Sequence, residues 1–170
     1  MLGQSWPTPN LFDATNHGNL LTTALSAAAW EAVVQAVFKQ TAPVSANRIG
    51  MRPSIILVPI ELEMTARRIF EQPWSQTVQV HAETLLEGAA KIIAVPEWTD
   101  ATDWAAAVSP AVCEGICLGY RFGRQPEMFT AVDPTSGSMF TNDEMRIKVR
   151  WFWTLGVADY RPLHKSNVAG

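Results

Sequence analysis

Hydrophobic residues recur at helical spacing in two stretches of the first half of the chain. Ser26 is a preferred N-cap residue, and the apolar positions that follow predict a helix over residues 27–40. These positions cover more than a narrow stripe, so we expect this helix to be covered on more than one side. Leu62, Ala66 and later apolar residues predict a second helix over residues 61–71. The β-branched run within residues 53–59 lies between them and predicts a short buried strand.

The second half of the chain is predicted to be mostly β-structure. Short apolar runs predict strands at residues 91–95, 112–120 and 127–132, and a turn follows at residues 133–137. Residues 145–157 alternate between apolar and mostly charged side chains, and a period of two over that length predicts one continuous strand. We expect one face of this strand to be core and the other to contact water or a partner. The order of the elements lacks regular strand–helix alternation and predicts an α+β fold.

The N-terminal residues carry no helical or strand pattern. Residues 1–20 are rich in Pro, Asn, Gly and Asp, which predicts an extended arm or loop. No basic region followed by an apolar core is visible there, so we expect no signal peptide. No apolar run approaches the roughly 20 residues that span a bilayer. We therefore expect no membrane partner and synthesis in a reducing cytosol.

Composition narrows the class of function. A net charge of −3 argues against a strongly basic nucleic-acid binder, and 48% hydrophobic residues argue against disorder. The chain has 7 tryptophans and 6 methionines, with only four lysines among its 13 basic residues. Interface cores are enriched in Trp, Met and Arg and depleted in Lys. The composition thus favours a protein whose surface contacts other copies of itself.

Candidate catalytic residues are few. Cys113 and Cys117 would lie about 13 Å apart on one strand, which is too far for a disulfide, and we interpret them as buried structural cysteines. The sequence lacks a G-x-S-x-G motif and a phosphate-binding glycine loop. We predict no catalytic residue, no metal site and no cofactor. An alternative remains a cysteine-dependent hydrolase-type enzyme in which Cys113 or Cys117 acts with His81.

Four segments, in chain order, resemble the major capsid proteins of tailed phages and prophages. Residues 11–20 resemble the LF…HGNL segment that precedes the long helix of that family. Residues 49–59, followed by residues 61–66, are similar to its P..LLVP..LE..A strand–helix unit. Residues 120–127 resemble its P-E strand entry, and residues 147–161 resemble its closing strand, which ends G…D-x-R. The resemblance is to the C-terminal portion of the capsid proteins in one group of this family. That group is found with a prohead protease and includes Mu-like prophages.

The resemblance implies the Hong Kong 97 phage capsid fold, an α+β fold with a spine helix on a long β-sheet plus an axial α/β lobe. It implies that residues 1–20 are a remnant of an extended arm or loop and that residues 53–139 form the axial domain. Residues 21–52 and 140–165 would form the peripheral domain. Family members are usually longer, so the resemblance implies a chain truncated at the N-terminus that folds alone but assembles poorly.

The resemblance also implies a structural subunit of a phage or prophage capsid shell, or a shortened remnant of one, which acts by self-association into hexamers and pentamers. Scaffold, prohead protease and portal would be further partners, and no sequence-specific nucleic acid is expected. The subunit would be made in the cytoplasm of a bacterial host and located in the virion. A small head-decoration or adaptor binding module is a second alternative. By residue type, the candidate subunit-interface residues are Trp30, Phe38, Trp98, Trp104, Arg150 and Phe152.

Overall fold

The computed structural model describes residues 11–42, 45–71 and 86–168. These residues form a mixed α+β structure, as predicted, and divide into unit 1 (Met1–Gly115 and Ala158–Gly170) and unit 2 (Ile116–Val157). The elements in chain order are β1 (Leu20–Leu21), α1 (Ala27–Lys39), β2 (Pro53–Val58), α2 (Ile60–Phe70), β3 (Lys91–Ala94), β4 (Trp104–Val108), β5 (Ile116–Arg121), β6 (Glu127–Ala131), α3 (Gly137–Asn142), β7 (Arg146–Arg150), β8 (Phe152–Val157) and β9 (Leu163–Ser166).

A mixed five-stranded sheet in the order β1-β9-β4-β2-β3 organises unit 1. Strand β2 pairs in parallel with β3 on one side and antiparallel with β4 on the other. Strand β9 continues the sheet antiparallel to β4, and β1 adds to β9 in parallel. Strands from the two ends of the described chain therefore lie side by side at one edge of the sheet.

Helices α1 and α2 cover one face of this sheet. Ser26 caps α1 as predicted, since its Oγ accepts a hydrogen bond from the Ala29 N–H at 3.1 Å. Trp30 of α1 and Phe70 of α2 meet edge to face, with ring centroids 4.9 Å apart. The buried hydrophobic residues of this core are Ala29, Trp30, Val33, Val37, Met51, Ile56, Val58, Ala66, Phe70, Trp104, Ala106 and Val108.

Strands β4 and β9 do not follow from the local sequence pattern. Strand β4 reads Trp-Ala-Ala-Ala-Val, and alanine is depleted in strands, so propensity gives little signal. Trp104 is the first residue of this strand, and its indole N–H donates to the Thr23 carbonyl at 3.0 Å. Strand β9 carries the polar residues His164 and Ser166, both buried. Pairing with neighbouring strands, rather than local propensity, creates both elements.

Residues 11–19 form a hydrogen-bonded loop, one of the two forms predicted for the N-terminal residues. The Asp13 carboxylate accepts from the backbone N–H groups of Thr15 and Asn16, each at 2.7 Å. Asn19 is fully buried, and its amide donates to the carbonyls of Leu11 at 2.9 Å and Leu163 at 3.2 Å. The hydrogen bond to Leu163 thus attaches the loop to strand β9. The first ten residues of the predicted arm or loop lie outside the described part of the chain.

Unit 2 is a long antiparallel hairpin in two segments, which we call the hairpin arm. Strands β5 and β8 pair in one segment, and β6 and β7 pair in the other. Residues 122–126 lie opposite the single residue Trp151, so the strand predicted over residues 145–157 is two strands that break at that residue. The tip of the arm contains α3, which begins at Gly137, the last residue of the predicted turn.

Strand β5 begins later than the prediction of residues 112–120. The Ser109 carbonyl accepts hydrogen bonds from the N–H groups of Val112 and Cys113, so a turn occupies the start of the predicted strand.

The predicted axial and peripheral domains concern positions in a shell and stay a prediction. The two units have different boundaries from those domains. No helix in the described residues is long and apolar enough to cross a membrane.

Candidate interaction surface

One face of the hairpin arm consists almost entirely of apolar side chains. Directly paired residues of antiparallel strands share a face, and in the first segment Leu118 pairs with Leu155 and Tyr120 with Trp153. In the second segment Met128 pairs with Val149. The rings of Tyr120 and Trp151 are 6.2 Å apart, which places Trp151 beside the same cluster. We call this surface the apolar face, and its residues are Ile116, Leu118, Tyr120, Met128, Ile147, Val149, Trp151, Trp153, Leu155 and Val157.

The apolar face is exposed to solvent. Except for the half-buried Tyr120, its side chains have between 47% and 67% of their surface accessible. The prediction that this face of residues 145–157 is core is therefore wrong for the described structure. The reason is that the arm has only two paired strands in each segment, and no second layer of described residues covers them. Monomeric soluble proteins rarely expose so large a continuous apolar patch.

The opposite face of the arm is more polar and carries most of the arm's positive charge. Arg150 lies there, and its Nε donates to the Glu127 carboxylate at 3.0 Å on the paired strand. The Arg150 guanidinium also lies over the Phe122 ring, at 4.2 Å from the ring centroid. Arg150 is therefore held in place within the arm, whereas Phe152 on the same face is 51% exposed. A shallow depression of about 340 Å³ lies beside Gly119 and Phe152.

The predicted interface residues fall in different environments. Arg150 and Phe152 lie on the polar face of the arm, and Trp98 is half-buried after β3. Trp30 and Trp104 are each 1% exposed in the core of unit 1, so they have almost no surface to offer a partner. Their interface role stays a prediction.

The residues of the apolar face were missed as candidate interface residues. The alternation along residues 145–157 is the signal that could have found them. The predicted core face of these residues rests on the rule that an apolar face of a strand is covered by its own chain, and this face does not follow that rule. Alternation shows which side chains share a face, but it does not show what covers that face.

Phe38 borders a depression of about 230 Å³ on unit 1, together with Val34 and Gln35. The Arg52 guanidinium lies over the Phe38 ring at 5.5 Å from the centroid. Gly50 lies beneath the ring with a φ of +70°, and a Cβ there would be 3.6 Å from Phe38 Cε2. We call this surface the Phe38 depression, and its residues are Val34, Gln35, Phe38, Lys39, Arg48 and Arg52.

Cys113 does not have the surroundings of a nucleophile. Cys113 is half-buried in the turn after β4, and burial, with a further contribution from Asp159, raises the pKa of its thiol above the ordinary value of 9.0. A raised pKa disfavours the thiolate that a cysteine nucleophile needs. Cys117 lies on β5, and His81 lies outside the described residues. In the described part of the chain, no group of three or more His, Cys, Asp or Glu side chains could hold a metal ion.

Comparison with known families favours an interaction surface over an active site. A family model described as phage capsid protein matches residues 3–166. The chain belongs to this phage capsid protein family. The match includes both units, so the hairpin arm is part of the capsid protein. A comparison with curated proteins finds no match. Capsid proteins are structural components of the virion, so exposed apolar surface is the feature of this chain that calls for a functional explanation.

Proposed function

We propose that this capsid protein is a shell-forming subunit that self-associates through the apolar face of its hairpin arm. The observation that carries the proposal is the exposure of nine apolar-face side chains, beside the half-buried Tyr120, on one two-stranded surface. Half of the surface of ten large side chains is on the order of 800 Å². One partner contributes about that area to a specific interface of standard size.

The stability of the arm supports the same proposal. A two-stranded hairpin alone is at best marginally stable in water, and packing against another element is what usually stabilises it. Within the described residues, the strands of the arm pair only with each other. A second copy that covers the apolar face would supply the missing layer. Association would therefore stabilise the arm as well as build the shell.

We also propose the Hong Kong 97 fold, in the Mu-like or prohead-protease-associated group, with scaffold, prohead protease and portal as further partners during assembly in a bacterial host. Two elements support the fold. Helix α1 packs on the sheet of unit 1, and β2 and α2 form the strand–helix unit at the segment whose sequence resembles that group. A shell subunit of this kind would act on no substrate and would form hexamers and pentamers with itself.

The test of the proposed function is a double substitution on the apolar face, Trp153→Ser with Leu155→Ser. Both side chains are more than half exposed, so the substitutions should change the stability of unit 1 little. In the proposed contact between copies both side chains would be buried, and each large apolar side chain contributes about 1.5–3 kcal/mol when it is buried. The double substitution should therefore weaken association by well over tenfold. Sedimentation velocity over a range of protein concentrations measures the change.

The matched control is Ile60→Ser with Met64→Ser. These residues lie on α2 of unit 1, and each is 62% exposed. The control removes a similar amount of exposed apolar surface away from the arm, so it should associate like the unsubstituted protein. Association of the apolar-face variant with unchanged strength would contradict the proposal, as would an unsubstituted protein that stays monomeric at every concentration.

A further inference from the structure

The tip of the hairpin arm has an exposed aromatic side chain within an acidic stretch of the sequence. Phe140 of α3 is 70% exposed, which is the largest value among the exposed large hydrophobic residues described. Asp133, Asp143 and Glu144 flank it along the chain, and residues 133–145 contain no basic side chain. Arg146 follows directly and pairs with Glu144 at 3.6 Å, and both of these side chains are more than half exposed. The tip therefore presents one apolar ring within an acidic segment.

Hydrogen bonds within the tip fix its shape before any partner binds. The Asp133 carboxylate accepts from the backbone N–H of Thr135 at 2.9 Å and from the Ser136 hydroxyl at 2.9 Å. Asp143 ends α3 with a φ of 57°, and its N–H donates to the Met139 carbonyl at 3.1 Å. A fixed loop loses less conformational entropy on binding than a loose one.

The Phe38 depression has the complementary properties. Its apolar part is Val34, which packs against the core, and the partly exposed ring of Phe38. Lys39, Arg48 and Arg52 line the same depression, and none of the three forms an ion pair with a described residue. The depression thus combines an exposed aromatic surface with three positive charges that lack a described acidic partner. A ligand that fits it has an apolar group flanked by carboxylates.

We infer that the tip of one copy's hairpin arm docks into the Phe38 depression of a second copy, with Phe140 against Phe38 and the tip carboxylates beside Lys39, Arg48 and Arg52. This inference rests on the proposed function and adds a second contact to it. The tip and the depression are different surfaces, so the contact is heterologous. A heterologous contact continues from copy to copy and generates rings or larger assemblies rather than closed dimers.

Charge reversal tests the contact. Glu144→Arg and Arg48→Glu should each weaken association by roughly tenfold or more at low salt, because each places like charges together at the contact. The two substitutions combined should restore most of the lost association, since the pair is then again complementary. Glu144 is preferred to Asp143 for this test because the left-handed φ of Asp143 would strain an arginine. Sedimentation velocity measures association, and circular dichroism checks that each variant folds.

Two further variants complete the test. Phe140→Ser should weaken association at every salt concentration, because it removes the apolar part of the contact rather than a charge. Arg68→Glu is the control for Arg48→Glu, since Arg68 is also exposed and lies on α2 away from the depression. It should leave association unchanged, and combining it with Glu144→Arg should restore nothing.

The possible outcomes separate this inference from the proposed function. If the charge-reversal variants associate like the unsubstituted protein while the apolar-face variant does not, the tip contact is wrong and the proposed function stands. An unsubstituted protein that is monomeric at all concentrations overturns both. If Arg48→Glu leaves association intact but abolishes binding of a single-stranded oligonucleotide, the depression is a phosphate-binding surface and the tip contact is overturned.

Discussion

His164 is fully buried in β9, where neither of its ring nitrogens has a hydrogen-bond partner within the described residues. Burial is the main cause that lowers the pKa of its imidazole below the ordinary value of 6.5. The ring is therefore neutral in the folded protein near pH 7. Burial disfavours the charged form, so protonation of this side chain favours the unfolded chain.

The pH dependence of stability follows from this shift. Below pH 6.5 the unfolded chain binds a proton at His164 that the folded protein does not yet bind, so the free energy of unfolding should fall as the pH is lowered through that value. Above it, the contribution is fully present. Urea denaturation at a series of pH values between about 7 and 5 measures the slope, with His164→Gln as the control. An equal slope in the control variant would show that another group is responsible.

At the scale of single residues, the sequence predicts interactions between residues that are close along the chain, but not those between distant residues. Ser26 could be identified as a cap because capping is decided within three residues. The role of Asn19 could not, because its amide bridges the loop at residues 11–19 and Leu163, which are far apart along the chain. The same limit applies to Trp104, whose burial depends on the strands paired beside it.

At the scale of elements, α1 and the β2–α2 unit could be predicted because each is encoded by its own period and end signals. The break between β7 and β8 could not, because its cause lies on the opposite strand. Residues 122–126 are unpaired there and shift the register on either side of Trp151. A bulge in one strand leaves no signal in the alternation of its partner.

The two faces of α1 should respond differently to truncation. Trp30 is 1% exposed and contacts Phe70, so Trp30→Ala should lower the free energy of unfolding by about 3–5 kcal/mol through the cavity it leaves. Phe38 on the same helix is 38% exposed, and Phe38→Ala should cost about 1 kcal/mol or less. Urea denaturation monitored by circular dichroism measures both. Similar losses for the two variants would contradict the assignment of Trp30 to the core and Phe38 to the surface.

At the scale of the whole molecule, the two units differ in how much of their apolar surface is buried. Unit 1 buries a core between two helices and a five-stranded sheet, whereas the hairpin arm leaves ten apolar-face side chains without a described covering layer. The sequence could indicate an interface-rich chain through its tryptophans and few lysines. It could not locate the interface, because exposed and buried apolar residues have the same pattern along a strand.

The central claim is that association covers the apolar face of the hairpin arm. Amide hydrogen exchange, followed by mass spectrometry in dilute and in concentrated solution, tests it most directly, because uncovered two-stranded segments open easily and exchange fast. We expect peptides from residues 116–121 and 152–157 to become strongly protected in the associated protein, while peptides from the core strand β2 change little. Association that leaves the exchange of both arm segments unchanged would contradict the claim.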